Sequence, residues 1–452
     1  MARAAVSASM REQTWLDRIM SLAAEVQPGE AATALLLSLN LFLLLTAYYI
    51  IRPVREALIL AGQGGAEIKS YTGAFHAVLF LFIVPAYGAF ASKVNRIQLI
   101  NWVTLFFTSN LVIFYLLGRS GVRLGIPFFL WMGIFNLMVV AQLWSFANDL
   151  YTPEQGKRLF AMVGVGASVG AVAGSEIAGI LVRPLGVFAM MLVSAGLLLV
   201  CLLLTNIILA REKRRIQSPS ARQKADEPLA KEGGFQLVLR HRYLLFIGLL
   251  ALLDQLANTN GEYILGSSFS RAAREAVAGG MTGGLSERQL IASYYASFHF
   301  WQNLLSALIQ IFLVSRILKY LGVRGALLTL PLISLGGYAL LVAAPLLPFI
   351  RAYKIVENST DYSLQNTVRR ALFLSTSREA KYKTLQAVET FFWRSGDMLS
   401  GAAVFVGTGL LGLGLRSFAV LNVGLAIGWL LLVARLAREH QKLTAGLEVA
   451  DA

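Results

Sequence analysis

Cysteine, histidine and charge are all scarce in this chain. Its 452 residues include one cysteine, Cys201, and four widely separated histidines. One cysteine excludes an internal disulfide framework and a thiolate metal site, and the histidines lack metal-ligand spacing. Cys201 lies in an apolar run, where a buried structural thiol is expected. Only 14% of residues are charged, against about 25% in soluble domains, which excludes an ordinary soluble fold. With no nucleophile–base pair and no metal constellation, no enzymatic activity, cofactor or metal is expected. Residues 1–30 lack an apolar core of signal-peptide length, and their mixture of Arg with Asp and Glu disfavours an organellar transit peptide. They read as a cytosolic N-terminal tail.

Apolar sequence is what the chain has in abundance. Hydrophobic residues make up 56% of it, and its mean hydropathy is +0.63. A spanning helix needs about 20 mostly apolar residues, and about twelve stretches meet or approach that length. They centre on 33–52, 70–92, 98–118, 126–150, 159–182, 186–210, 243–266, 289–314, 323–346, 348–373, 385–412 and 414–437. The chain therefore reads as an all-α polytopic membrane protein with about twelve transmembrane helices. Basic residues concentrate at 211–242 and in alternate loops, around Lys93, Lys157, Arg316 and Lys381. The positive-inside rule then puts both termini in the cytosol, with the basic segment as a cytosolic linker. The net charge of +15 fits loop orientation and anionic lipid better than nucleic acid.

An internal repeat sets the architecture. SYTGAFH at 70–76 returns as SYYASFH at 293–299, an offset of 299 − 76 = 223. Ser92, Lys93 and Arg96 meet Ser315, Arg316 and Lys319 at the same offset. The copies lie six segments apart, an even number, so the repeats are parallel. Two parallel six-helix repeats make a major-facilitator-like plan, with the substrate site expected near the midplane between halves. The expected divisions are 1–30 (tail), 31–210 (first half), 211–242 (linker), 243–438 (second half) and 439–452 (tail). For His76 and His299, an inter-helix hydrogen bond inherited from the repeat is favoured over a proton relay.

Charged residues inside spanning segments cost about 2.5–3.5 kcal/mol each on insertion scales and so turn toward a bundle interior or a wet cavity. In the tenth segment Lys354, Asn358, Asp361 and Gln365 fall on one helical face. Glu389, Arg394 and Asp397 form a second polar row in the eleventh. An amphipathic surface helix is the bland reading of this region, but the flanking apolar runs leave it little room. Arg52 and Arg55, three apart, end the first segment with guanidinium forks suited to phosphate or carboxylate; interface anchoring beside Glu56 is the structural alternative. Glu262 stands in an apolar neighbourhood next to Gly261, which suggests gating. GVGASVGAVAGSEIAG nearly matches a dinucleotide-binding glycine fingerprint, and GASVG formally matches a serine nucleophile elbow, yet both lie wholly within a helix and lack the preceding strand. Gly166, Gly170 and Gly174, four apart, make a smooth face for close helix packing.

Three stretches carry a resemblance to the ATP/ADP carrier family of plastids and obligate intracellular bacteria. LWSFANDLYTPEQGKRLFAMVGVGA at 143–167 resembles that family's FWGFAN and EAKRFY signature and the glycine-rich helix after it. DYSLQNTVRRALFLSTSREAKYK at 361–383 is similar to its KYSL and E-x-K-x-K run, through Tyr362, Ser363, Leu364, Glu379, Lys381 and Lys383. YYIIRPVREAL at 48–58 resembles Y-x-I-L-R-D-x-K-D. The resemblance implies a nucleotide-exchanging carrier whose transport depends on four charged membrane positions. Arg55 keeps the charge of the first, a lysine, and Glu262 keeps the second. A glutamate is replaced near Met132, and a lysine by Asp397. Arg52 and Arg394 match family arginines.

Together these readings give an alternating-access carrier of an anionic organic solute, with a nucleotide or nucleotide-like phosphate compound as the leading, ATP-related substrate. Arg52, Arg55, Lys354, Asn358 and Arg394 are the expected substrate ligands. Glu262, Asp361, Glu389 and Asp397 are expected to balance charge, gate or carry protons. A monomer in the inner membrane is expected, with the lipid bilayer and the solute as partners. The alternative is a non-transporting sensor or scaffold that keeps a carrier fold.

Overall fold

Backbone N–H and C=O groups inside hydrocarbon have no water to bond, so a long apolar chain satisfies them within helices. Accordingly, every regular element among the described residues of the computed structural model is helical. The structure describes residues 30–91, 94, 96–151, 153–213, 238–373 and 388–450. The helices are α1 (Ala31–Leu60), α2 (Gly65–Ala91), α3 (Arg96–Arg119), α4 (Gly125–Phe135), α5 (Ala141–Leu150) and α6 (Pro153–Lys213). After the linker come α7 (Arg242–Ala278), α8 (Glu287–Leu308), α9 (Val314–Ala343), α10 (Leu347–Thr360), α11 (Asn366–Leu372), α12 (Trp393–Val404) and α13 (Leu415–Ala450). Wide π-helical turns join α4 to α5, α8 to α9 and α10 to α11.

The two helix breaks fall where the sequence divides its segments, and one boundary, at the C-terminus, differs. The fifth and sixth segments form one run, α6, broken at Gly186 with φ 72°; a positive φ there suits glycine. Gly322, at φ 65°, breaks α9 in the same way. The residues expected as a C-terminal tail continue α13 to Ala450. Eight helical stretches of the described residues are long and apolar enough to cross a membrane. Two of them, Arg158–Arg211 and Glu287–Ala343, run 54 and 57 residues, more than twice the ~20 that one crossing needs. Counting two crossings in each, together with the more polar α10–α11 and α12, gives the twelve-helix arrangement.

Exposure is inverted relative to a water-soluble protein. Phe82 and Trp102 are each 69% exposed, whereas Lys354 is 1% exposed and Asn260 fully buried. Apolar side chains outside and ionic ones inside is the pattern that a hydrocarbon solvent imposes. The repeat keeps its register: Ser70 lies five residues into α2 and Ser293 six into α8.

The chain groups into two compact units. One comprises 1–55, 87–124 and 131–226; the other comprises 56–86, 125–130 and 227–452. The boundaries within α1 and α2 fall just after Pro53 and Pro85, where each proline removes a helix hydrogen bond. In the first unit α6 packs on α1 through its glycines. A Cβ on Gly166, Gly170 or Gly174 would stand 2.1, 2.3 or 2.6 Å from the carbonyl oxygen of Ser38, Phe42 or Thr46. In the same unit Trp131 stacks on Phe135 with ring centroids 5.5 Å apart. Cys201 is buried there, 3.7 Å from the Asn40 carbonyl. In the second unit an apolar core that includes Leu250, Leu327, Val368 and Trp429 holds α7, α9, α11 and α13 around the polar residues described next.

Candidate functional site

The polar face of α10 is buried in the second unit, so a solvated surface helix is ruled out for it. Lys354, Glu357, Asn358 and Asp361 are each no more than 6% exposed. Lys354 Nζ donates to Glu357 at 2.6 Å and to Asn258 at 2.9 Å. Glu357 also accepts from Ser334 at 2.7 Å, Tyr353 at 2.6 Å and Tyr338 at 3.2 Å. Four donors on one carboxylate offset much of its desolvation, which buried charges require. Gly261 makes room for this cluster: a Cβ there would lie 2.1 Å from the Tyr338 hydroxyl and 2.9 Å from Lys354 Nζ.

From Lys354 the charges alternate outward. Glu262, on α7, lies 3.9 Å from Lys354 and 3.6 Å from Lys69 on α2. Lys69 in turn forms an ion pair with Glu56 at 2.7 Å. Asn358 donates to Glu262 at 3.0 Å. Glu56, Lys69, Glu262, Lys354 and Glu357 thus form a chain of three acids and two bases. Nearby bonds tie the α1–α2 corner to α7 and α8. Tyr263 donates to Glu67 at 2.9 Å, Arg274 to the Gly62 carbonyl at 2.9 Å, and the Gly62 amide to Glu287 at 3.1 Å.

A second group surrounds a polar cleft of about 280 Å³ lined by Asp361, Arg369, Glu389, Trp393 and Arg394, with Tyr362 and Asn366. Arg369 stacks on the Trp393 ring at 4.0 Å and reaches Asp254 at 3.4 Å. Arg394 lies 4.6 Å over the Phe80 ring and 3.4 Å from Asp397. The other Asp397 oxygen accepts from Gln255 at 2.7 Å and Thr259 at 2.9 Å. Glu389 is exposed, whereas Asp361 is buried with one oxygen, Oδ1, unbonded. The π turn over Asp361–Gln365 interrupts the regular hydrogen-bond ladder at this point, as such turns do at many functional sites.

The residues expected from sequence therefore fall into three places. Lys354, Asn358 and Glu262 share the ionic chain. Asp361, Glu389 and Arg394 line the cleft, and Asp397 holds Arg394. Arg52 and Arg55 belong to the first unit, where Arg52 donates to the Tyr49 hydroxyl at 3.2 Å and lies 5.3 Å from that ring. Met132 is fully buried. Glu379, Lys381 and Lys383, with most of the linker and N-terminal tail, lie outside the described residues. Four participants went unnoticed in the sequence: Glu357, Lys69, Asp254 and Arg369. The first is three residues from Lys354, the spacing of a helical ion pair. Lys69 immediately precedes the repeated SYTGAFH, a position masked by its nearness to a helix end. Asp254 and Arg369 are 115 positions apart and carry no local signal. His299 bonds Gln302 on its own helix at 3.3 Å, and His76 packs on Phe80.

The helical fold is shared with solved membrane transporters. The chain superposes on a nucleoside transporter, NupG, with TM-score 0.63 at 12% identity, covering 89% of this chain and 98% of that one. A POT peptide transporter in complex with sulfate gives TM-score 0.62 at 11% identity, over 98% of this chain and 99% of that one. In sequence, the chain is 24% identical over 354 residues to ADP,ATP carrier protein 1 of Chlamydia trachomatis serovar D. It is 23% identical to the protein of the same name from Chlamydia muridarum. Both matches cover 68% of this chain, which spans 65% of the length of those curated relatives. No protein-family model matches the chain. These are distant relatives, in keeping with the resemblance carried by the FWGFAN-like, KYSL-like and first-helix stretches.

Proposed function

We infer that the chain is an alternating-access membrane carrier of an anionic organic solute, a nucleotide or nucleotide-like phosphate compound. The observation that carries this reading is the placement of Arg369 and Arg394 on one polar cleft beside the Trp393 indole. Guanidinium forks suit phosphate oxygens, and an indole face suits a planar base. The likeness to carriers of adenine nucleotides and nucleosides supports the same substrate class. Asp361 and Glu389 flank the arginines, so the cleft favours a ligand with fewer negative charges than a triphosphate. Lys354 acts within the ionic chain, because its ammonium already serves Glu357 and Asn258.

The contacts among Glu56, Lys69, Glu262, Glu67 and Tyr263 form a gate. Both termini and the basic linker face the cytosol, across the inner membrane of a bacterial cell. Transport is tested by uptake of labelled adenine nucleotides, nucleosides and phosphorylated metabolites into proteoliposomes, after a thermal-shift screen of the same compounds. Saturable uptake of one anion supports the carrier. Tight binding without uptake assigns the sensor reading instead, and uptake of only neutral or cationic compounds overturns the anion assignment.

A further inference from the structure

Away from the charge chain, an apolar groove of about 490 Å³ runs between α8 and α10. Trp301, Leu304 and Leu308 line one side, and Pro348, Ala352 and Val356 the other. Trp301, Leu308 and Val356 are 51%, 44% and 42% exposed, so the groove opens on the surface that hydrocarbon covers. One charged side chain, Arg351, shares this lining. It sits four residues into α10, roughly 6 Å along the axis from the helix start at 1.5 Å per residue. Its Nη2 donates to Ser297 on α8 at 2.6 Å, while its buried Nε has no partner. No carboxylate pairs with Arg351 among the described residues, in contrast to Lys69, Lys354, Arg369 and Arg394.

A guanidinium near the end of a membrane helix needs a counter-charge, because leaving it alone in a low dielectric is costly. The described residues supply none. The adjoining groove accepts hydrocarbon, so the complementary ligand joins an acyl chain to an anion. We propose that the α8–α10 groove is a binding site for one anionic phospholipid, with an acyl chain along Trp301, Leu304 and Val356 and the headgroup phosphate on Arg351. Arg351 has donors left for phosphate oxygens beyond its bond to Ser297.

The test measures thermal stability of the purified full-length chain in detergent with phosphatidylglycerol, phosphatidylcholine, or phosphatidylcholine plus inorganic phosphate. Native mass spectrometry counts bound lipids in parallel. Wild type should hold one phosphatidylglycerol and gain more stability from it than from phosphatidylcholine. Arg351→Gln should lose at least half of that difference, while Arg370→Gln, an exposed arginine on α11, keeps it. Leu308→Trp narrows the groove from its exposed side and serves as a second variant where Arg351→Gln does not fold; it too should lower lipid occupancy. Equal stabilisation by both lipids overturns the proposal, as does a full effect from inorganic phosphate. So does undiminished phosphatidylglycerol binding by Arg351→Gln or, where that variant does not fold, by Leu308→Trp.

Discussion

Lys69 on α2 stands 3.6 Å from Glu262 on α7, and each keeps another partner of its own. Lys69 has Glu56 at 2.7 Å, and Glu262 has Asn358 at 3.0 Å. Separating the two therefore leaves neither charge isolated, which lowers the cost of opening. An ion pair that breaks without orphaning either member suits a gate between two packed states, since unpaired buried charge otherwise dominates the energetics. Both acids on Lys69 tune this contact, as does the Tyr295 ring at 5.3 Å.

Removal of Lys69 should be more damaging than removal of its gate partner. Lys69→Met leaves Glu56, 1% exposed, without its 2.7 Å cation, and breaking a buried pair in this way costs about 3–5 kcal/mol. Glu262→Gln keeps an acceptor for Asn358 and should unfold only slightly earlier. Its effect should instead appear as greater labelling of a cysteine placed beside the gate. Unfolding curves of the two variants decide this. Equal destabilisation would mean that Glu262 is as structural as Glu56 and does not gate.

Glycine size at Gly261 and Gly170 gives a stability test in each unit. Alanine at 261 drives a methyl to 2.1 Å from the Tyr338 hydroxyl, which must rotate off Glu357. Alanine at 170 meets a backbone carbonyl at 2.3 Å, which no rotamer relieves. Overpacking of this kind costs about 1–3 kcal/mol. Gly170→Ala is expected at the upper end of that range, and Gly261→Ala should also impair transport because it disturbs Lys354. Gly196→Ala, with open space around its Cβ, is the control and should melt like wild type.

Membrane class, repeat and helix count were readable because apolar length and offset are properties of the sequence alone. The polar face of α10 was readable for the same reason, as Lys354, Asn358 and Asp361 share a helical spacing. What these residues touch was not readable. Asp254 meets Arg369 only through the packing of α7 on α11, and Lys69 meets Glu262 only where α2 meets α7. Glu357 is legible in the sequence only through its i, i+3 spacing from Lys354. The break at Gly186 was legible as well, since the segments 159–182 and 186–210 divide at Arg183 and Pro184, just before it.

Orientation has its own test. Residues 215–235 and 275–285 fall after the sixth and seventh crossings, so they should face opposite sides. In a Cys201→Ala background, single cysteines in 215–235 should label only from the cytosol and those in 275–285 only from outside. Cys201 is buried, so its replacement removes background without exposing a site. Labelling of 215–235 from outside would overturn both the orientation and the count of crossings.

The Arg394–Asp397 pair sets how far the likeness to ATP/ADP carriers extends to activity. Where those carriers resemble this chain, Asp397 stands in place of a lysine, and it holds Arg394 at 3.4 Å while Gln255 and Thr259 fix its other oxygen. Arg394 thus offers the cleft less free positive charge than an unpaired arginine, and the carboxylate repels an incoming polyphosphate. ATP-for-ADP exchange by the wild type should accordingly be weak. Asp397→Asn keeps hydrogen-bonding capacity but frees Arg394, and should raise affinity for anions. Arg394→Ala should weaken binding of the preferred anion by roughly 1.5–3 kcal/mol, the scale of hydrogen bonds to charged groups. Labelled ATP uptake into ADP-loaded proteoliposomes, compared for wild type, Asp397→Asn and Asp397→Lys at acidic and alkaline pH, separates the outcomes. Exchange gained only in Asp397→Lys assigns the lost activity to this one charge. Exchange that appears in the wild type only at acidic pH assigns it to protonation of the same carboxylate. Fast exchange by the wild type at both pH values would show that Asp397 leaves the substrate unchanged, and that Arg394 serves ATP despite its partner.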